Sequence, residues 1–440
     1  MLPLPPDHPD RFLLAEEVHA RPPEPVDTPS RATYLAILVD VDERARERDH
    51  LAVLCRRFAV PPPAESATHF SATLGALRVK WERHGEFSGY TFFSAGHSPE
   101  PFSEPPVSLL PPGWLAGMPG ATLVAAHAQL LPAPNTAPQT DEVARHFNGN
   151  IVVGAEVGDG AGYAFTDFRI HEDGCARFLV YDRAFTSRQA GRMLQRLFEI
   201  EAYRMMSLLA LPIARRQSPR IVAIEKALAA LTDDLARDSS AAPESDDESL
   251  LQQLTRLAAE VESGLSASQF RFGACRAYFE LVTTRISELR EKRLPGIQPI
   301  EEFMARRFTP AVATCNTVSQ RLHGLSERVA QVSALLSTRV DIARERQNQA
   351  LLASMDRRAK LQLRLQQTVE GLSVAAIVYY VAGLAAYIAK ALKAGGLRLE
   401  PDLVVGAAIP VVAVLVILAV RRARRKIAHA ESPAEHAPVL

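Results

Sequence analysis

Residues 371–389 read GLSVAAIVYYVAGLAAYIA and residues 403–420 read LVVGAAIPVVAVLVILAV, with no charged side chain in either run. Their 19 and 18 residues, at ~1.5 Å of rise each, make helices close to the ~30 Å hydrocarbon thickness of a bilayer. Two such runs in succession, flanked by basic residues, predict a transmembrane hairpin with its turn at Gly395–Gly396. Basic residues collect on the cytoplasmic side of a membrane. Arg357, Arg358, Lys360 and Arg364 precede the first span, and Arg421, Arg422, Arg424, Arg425 and Lys426 follow the second. The loop between them carries only Lys390, Lys393 and Arg398. Both ends of the hairpin are therefore expected in the cytoplasm. The tail, 421–440, suits an anionic inner leaflet, at ~1 kcal/mol per basic residue near the surface. The N-terminal MLPLPPDHPDRF has no basic stretch leading into an apolar one, so no signal peptide is expected.

Two features inside the spans admit two readings. Tyr379 and Tyr380 sit in mid-span, where a phenol hydroxyl needs a partner. A bond to a backbone carbonyl or to the neighbouring helix is the expected outcome, and a polar pathway lining is the alternative. Pro410 predicts a kink.

Working back from the membrane, punctuation is sparse from about Pro299 onward, and Pro310 is the last proline before the spans. Val318, Leu322, Leu325, Val329, Val332 and Leu336 recur at the alternating spacing of four and three that marks a coiled-coil seam. The reading is a stalk helix over 299–370, about 60 residues of it continuous, running on into the first span. Helices over 220–237 and 250–293, or another subunit, could cover the seam; both stay open. DSSAAPESDDE, residues 238–248, reads as a solvated acidic linker inside a helical region 216–298.

Residues 1–140 hold 21 of the chain's 31 prolines, which implies loops and edges rather than long helices. Strands are expected at 34–40, 72–83, 87–94, 121–131, 151–157, 163–171 and 176–182. A helix is expected over 42–57, and another over 187–211, stopping at Pro212. Asp173–Gly174 between two strand patterns is a strong hairpin signal. The fold class is α+β: a mixed, largely antiparallel sheet domain over 1–215, then helices, then the hairpin.

The chain of 440 residues carries 50 Lys+Arg against 50 Asp+Glu. Zero net charge argues against nucleic acid as the partner. Cys55, Cys175, Cys275 and Cys315 have no zinc or CxxC spacing and read as isolated buried thiols. There is no phosphate loop, dinucleotide fingerprint, nucleophile elbow or HExxH, so no cofactor, metal or enzymatic activity is expected. Glycine-rich GAEVGDGAG, 154–162, reads as a hairpin turn.

Three polar clusters remain as candidates: Glu17, His19 and Arg21; Glu82, Arg83 and His84; Asp167 and Arg169. On a strand, Glu82 and His84 share one face and Arg83 takes the other, and Asp167, Arg169 and His171 share a face. Ion pairing along strands is the leading reading. An anion or protein partner on Arg21, Arg83 and Arg169 comes second. Acid–base chemistry by His84, Glu82 and Asp167 comes last.

HPDRFLLAEEVHARPPEP (8–25), RVKWERHGEF (78–87), TDFRIHEDG (166–174) and GRMLQRLFEIEAYRMMSLLALPIAR (191–215) resemble a bacterial family of membrane-anchored proteins of unknown function. The resemblance covers nearly the whole chain. It implies the bacterial inner membrane and supplies no activity. The order of elements is also similar to that of CorA-type magnesium channels, which implies a homo-oligomer assembled through the stalk. Those channels begin their outer loop with Gly-Met-Asn; here the stretch is Ala389-Lys390-Ala391-Leu392-Lys393. Two lysines at the mouth would repel a cation. The expectation is a membrane-anchored binding or interaction domain, with a CorA-like channel not selective for magnesium as the alternative.

Overall fold

Val79 and Trp81 alternate with Lys80 and Glu82 along one strand, and Tyr90 and Phe92 alternate with Thr91 and Phe93 along the next. A period of two sends the first set to one face of a sheet and the second to the other. The computed structural model describes residues 5–17, 22–237, 245–396 and 400–430. It has the α+β class read from the sequence. Eight strands among the described residues form one sheet: β1 (Ser30–Leu38), β2 (His69–Leu74), β3 (Leu77–Arg83), β4 (Phe87–Ala95), β5 (Ala121–Pro132), β6 (Val153–Val157), β7 (Gly162–Thr166) and β8 (Ala176–Asp182). Their order is β2-β3-β4-β1-β5-β8-β7-β6. Every pairing is antiparallel except β5 with β8.

The helices, again among the described residues, are α1 (Arg11–Glu17), α2 (Arg44–Arg57), α3 (Thr140–Arg145), α4 (Ser187–Leu208), α5 (Leu211–Arg237), α6 (Ser245–Leu289), α7 (Ile300–Arg307), α8 (Thr309–Ala394) and α9 (Pro401–Ala430). One face of the sheet buries Leu35, Ile37, Val79, Trp81, Tyr90 and Phe92 with Leu51 and Leu54 of α2. α4 packs on the other face, where Phe198 stacks on Tyr34 at 5.1 Å. α6 packs on α4 in turn. A second cluster joins Phe147, Phe165 and Leu179 to Leu294 and Ile297, beyond the end of α6. That 290s segment covers the β6 edge: Glu156 and Lys292 exchange backbone bonds at 3.0 and 2.8 Å, and Gly154 N–H donates to Gln298 O at 2.9 Å. A paired edge is closed to strand addition.

α4 opens on a full capping box, Thr186 with Gln189. Gly191 sits in its first turns because a Cβ there would lie 1.7 Å from the carbonyl oxygen of Glu24. The segment before β1 is thereby seated directly on the helix.

Five expectations need correction. The strand read over 72–83 is two strands, β2 and β3, folded at Gly75–Ala76; Leu74 pairs with Leu77, and Gly75 has φ +66°, as a two-residue hairpin loop requires. The strand read over 163–171 ends at Thr166. The helix over 187–211 stops at Leu208, and Pro212 is the second residue of α5 rather than a stop, since a first-turn proline forfeits no hydrogen bond. The helix from 299 is broken at Phe308 into α7 and α8. Residues 245–248 of the expected linker are the first turn of α6, and 238–244 lie outside the described residues.

The chain divides into two units, 1–335 and 336–440. In the first, Val318, Leu322, Leu325 and Val329 are buried, so this chain's own residues cover the start of the seam. Leu322 shares a crevice with Ile221 and Ile224 of α5 and Gly264 of α6. Arg321 forks onto Glu225 of α5 at 3.1 and 2.6 Å, and each partner shifts the other toward its charged form.

In the second unit, α8 and α9 are long and apolar enough to cross a membrane, and none of the most apolar stretch of α9 is buried. Ala382 and Ala389 of α8 are buried, and Gly396, at φ +101°, lies at the expected turn. α9 runs through Pro410 as one helix.

Candidate functional site

The Glu82 cluster lies on the α4 face of the sheet, and the strand alternation read from the sequence is observed: Glu82 and His84 line one cavity with Lys80, Tyr34, Gln195 and Tyr203. Lys80 Nζ stands 2.9 Å from Glu82 Oε1, off the line of a good hydrogen bond. It donates to Gln195 Oε1 at 3.4 Å. Gln195 Nε2 donates to Glu199 at 2.7 Å, Arg285 bonds Glu199 and Glu288, and Arg196 Nε donates to Glu288 at 2.9 Å. Charges thus alternate from β3 across α4 to α6 and neutralise one another. Burial first, and the nearby acidic groups after it, push the Tyr34 and Tyr203 hydroxyls above the ordinary phenol value. His84 stacks on Phe87 at 4.3 Å. The cavity holds about 20 Å³, room for a water molecule and for nothing larger. Glu86 is clamped by Arg271 at 2.9 and 2.6 Å.

The Asp167 cluster folds differently from expectation. Asp167, Arg169 and His171 do not share a strand face, because the chain leaves β7 at Thr166 and turns. Thr166 Oγ1 accepts from Phe168 N–H at 3.2 Å, and Asp167 Oδ1 accepts from Arg169 N–H at 3.2 Å, an Asx-type turn. Phe168 takes φ +51°, a left-handed conformation that a bulky residue adopts only when its surroundings impose it. Asp167 is fully buried; Asn150 Nδ2 donates to its Oδ2 at 2.8 Å, and His171 Nε2 lies 3.0 Å from the same oxygen.

The turn delivers Phe168 and Arg169 to a pocket of about 370 Å³, shared with Arg204, Phe303, Arg307 and Phe308. Phe168 stacks on Phe303 at 5.2 Å and 15°. The Arg204 guanidinium lies 5.6 Å from the Phe168 ring centre. Asp167 and the Glu82–His84 pair line different pockets, so the sequence's acid–base trio is not assembled. Glu17 is the last residue of α1; His19 and Arg21 lie outside the described residues.

Arg204, Phe303 and Arg307 were missed by sequence reasoning. They stand 35 to 138 positions from Arg169, and each reads locally as an ordinary helix residue. A second missed pair is Cys275 and Cys315, both buried, whose thiols hydrogen-bond between α6 and α8. That bond lowers the Cys275 thiol and raises that of Cys315. Among the described residues, no group of three or more His, Cys, Asp or Glu is placed to hold a metal ion.

His127 on β5 is buried, with Thr33 Oγ1 2.9 Å from its Nδ1. Burial, joined by Arg177 and opposed by Asp173, lowers it to about 4. The folded chain therefore keeps it neutral where the unfolded chain takes up a proton. Its stability contribution is full above pH 6.5 and drains away as pH falls toward 4, by about 3 kcal/mol over that window. Urea unfolding across that range should show the loss, and His127→Gln should flatten the slope. An unchanged slope would mean that His127 is charged in the fold.

In the second unit, Tyr379 and Tyr380 are 77% and 73% exposed and line a groove of about 560 Å³ with Tyr387, Lys390, Val405 and Ile409. Neither hydroxyl has a hydrogen-bond partner among the described residues.

A family model described as "Protein of unknown function (DUF3422)" matches residues 6–427. Neither the curated proteins nor the solved structures offer a match, and no likeness to CorA-type channels appears among these findings.

Proposed function

Because the chain belongs to the DUF3422 family over residues 6–427, a family described only as of unknown function, we propose a role from its own residues: a membrane-anchored protein whose N-terminal unit binds an anionic ligand in the cytoplasm. The observation that carries the anchoring is the pair of helices α8 and α9, whose most apolar stretches are 11% and 0% buried. A core helix of that composition would be covered. The basic residues outside the hairpin favour both ends cytoplasmic, in the bacterial inner membrane that the family resemblance implies, and Arg421 and Arg422 extend α9 toward an anionic leaflet.

The full chain should stay in the membrane pellet through high salt and an alkaline carbonate wash, and a chain ended before Gly371 should be recovered in the supernatant. Full-length protein released by carbonate would remove the anchoring.

One observation favours a second reading, an oligomeric channel. The Tyr379 and Tyr380 hydroxyls find no partner in the chain's described residues, and hydrocarbon supplies none; another copy would. Its test is a discrete ring-sized mass in nanodiscs together with ion flux lost on Tyr380→Phe. A monomer, or no flux across a panel of ions, would sink it.

A further inference from the structure

We infer that the pocket between the β7–β8 turn, α4 and α7 is a binding site for a small organic anion that carries a ring. A phosphate or carboxylate would be held by Arg169 and Arg307, with the ring lying against Phe303 and Phe308. This rests on the reading of the N-terminal unit as a binding domain and supplies the site and the ligand class.

The size is right. About 370 Å³ falls among small-molecule sites, which run from ~300 to ~1,000 Å³, whereas the Glu82 cavity, at about 20 Å³, holds a water.

The charge is right as well. Arg306 pairs with Glu302 at 2.8 Å. Its neighbour Arg307, which lines the pocket, has no ion pair among the described residues, and neither does Arg169. Both are exposed at the rim. Two uncompensated guanidinium groups that converge on one concavity make an anion site, because each offers a planar fork of donors matched to phosphate or carboxylate oxygens. Arg204 lies deeper in, its charge balanced by the Glu201 carboxylate. Glu201 fixes it through bonds at 3.1 and 2.5 Å, which engage Nε and Nη2 and leave Nη1 unclaimed. The carboxylate among the lining residues, Asp167, is buried and engaged by Asn150, by Arg169 N–H and by His171. It faces the turn that it holds, not an incoming anion.

The remaining wall is apolar. Leu208, Met304, Phe303 and Phe308 supply the floor, and Ile151, 88% exposed, stands at the edge. Bare inorganic phosphate would leave that floor uncovered. A flat ring would cover it, stacking on a phenyl face or a guanidinium plane. Phe168 is held left-handed within this wall, its ring between the Arg204 guanidinium and Phe303.

The test is calorimetric titration of the full chain, in nanodiscs of phosphatidylcholine, with phenyl phosphate. Inorganic phosphate and benzyl alcohol serve as the two half-ligands. Phenyl phosphate should bind at least tenfold more tightly than either. The double variant Arg169→Gln/Arg307→Gln should weaken it tenfold or more with thermal unfolding and membrane retention unchanged. Phe303→Leu should weaken phenyl phosphate and leave inorganic phosphate as it was. No binding of phenyl phosphate, equal binding of either half-ligand, or an unaltered double variant that is folded would overturn the proposal. So would loss of phenyl phosphate binding in nanodiscs containing phosphatidylglycerol, which would assign the anion to a lipid headgroup. Membrane retention is read separately, so failed anchoring with intact phenyl phosphate binding, or the reverse, tells the two readings apart.

Discussion

Glu47→Ala lowers the unfolding free energy of the N-terminal unit by about 3–5 kcal/mol, while Glu47→Gln lowers it by less than about 1 kcal/mol. Glu47 lies on α2 beneath the sheet and is 1% exposed. Its Oε1 accepts from Trp81 Nε1 at 3.0 Å and from Tyr90 Oη at 2.8 Å. Both donors are themselves wholly buried. Alanine orphans two buried donors, at roughly 1–3 kcal/mol each, and opens a cavity among Leu51, Trp81 and Tyr90 that the packed sheet cannot close. Glutamine keeps the accepting oxygen. Its amide nitrogen falls where Oε2 now has no hydrogen-bond partner, so nothing is lost there. Urea unfolding of the two variants decides the matter. Equal losses would show that shape alone, and not the two hydrogen bonds, holds α2 to β3 and β4.

Glu47 also shows what a sequence hides. Among the charges of RARERDHLAVLCRR it reads as one more solvated helix position. Its burial is set by Trp81 and Tyr90, 34 and 43 positions away. Strand positions were legible because alternation is local: Val79, Trp81, Tyr90 and Phe92 announce one face, and Lys80, Glu82, Thr91 and Phe93 the other. Breaks were less legible. Gly75 inside an apolar run reads as a strand residue until the pairing of Leu74 with Leu77 shows the hairpin. At Phe308 the signal was present but underweighted: Thr309–Pro310 follows, and a proline suits the first turn of a new helix rather than the continuation of α7.

The candidate site divides along the same line. The Glu82–His84 pair was visible because its members sit two apart, on and just past β3, whereas the partners Lys80, Gln195 and Glu199 were not named. The arginine pocket was visible only through Arg169. Arg204 is one polar residue on an amphipathic helix, and Arg307 is one of two arginines ending α7. Only the turn after Thr166 brings them together. The turn was unreadable because Asp167 and Phe168 continue an alternating pattern that side-chain bonds to the backbone override.

Asp167→Ala should therefore strike both stability and binding, and Asp167→Asn should separate them. Alanine removes the acceptor of Asn150 Nδ2 and of Arg169 N–H, as well as the neighbour of the buried His171. The orphaned groups cost about 2–4 kcal/mol. The turn that aims Phe168 and Arg169 then relaxes, since a left-handed phenylalanine persists only while its surroundings impose it. Phenyl phosphate affinity should fall at least tenfold, or ~1.4 kcal/mol. Asparagine still offers one oxygen. Placed at Oδ1 it keeps the Arg169 N–H bond and the turn, and its amide meets Asn150 instead; the cost is about 1–2 kcal/mol of stability with binding largely kept. Placed at Oδ2 it keeps Asn150 and releases the turn, so stability is spared and binding falls. Parallel unfolding and titration curves distinguish these two outcomes. If both variants bind phenyl phosphate as the native chain does, the Asp167 turn does not position the pocket, and its buried carboxylate serves the core alone.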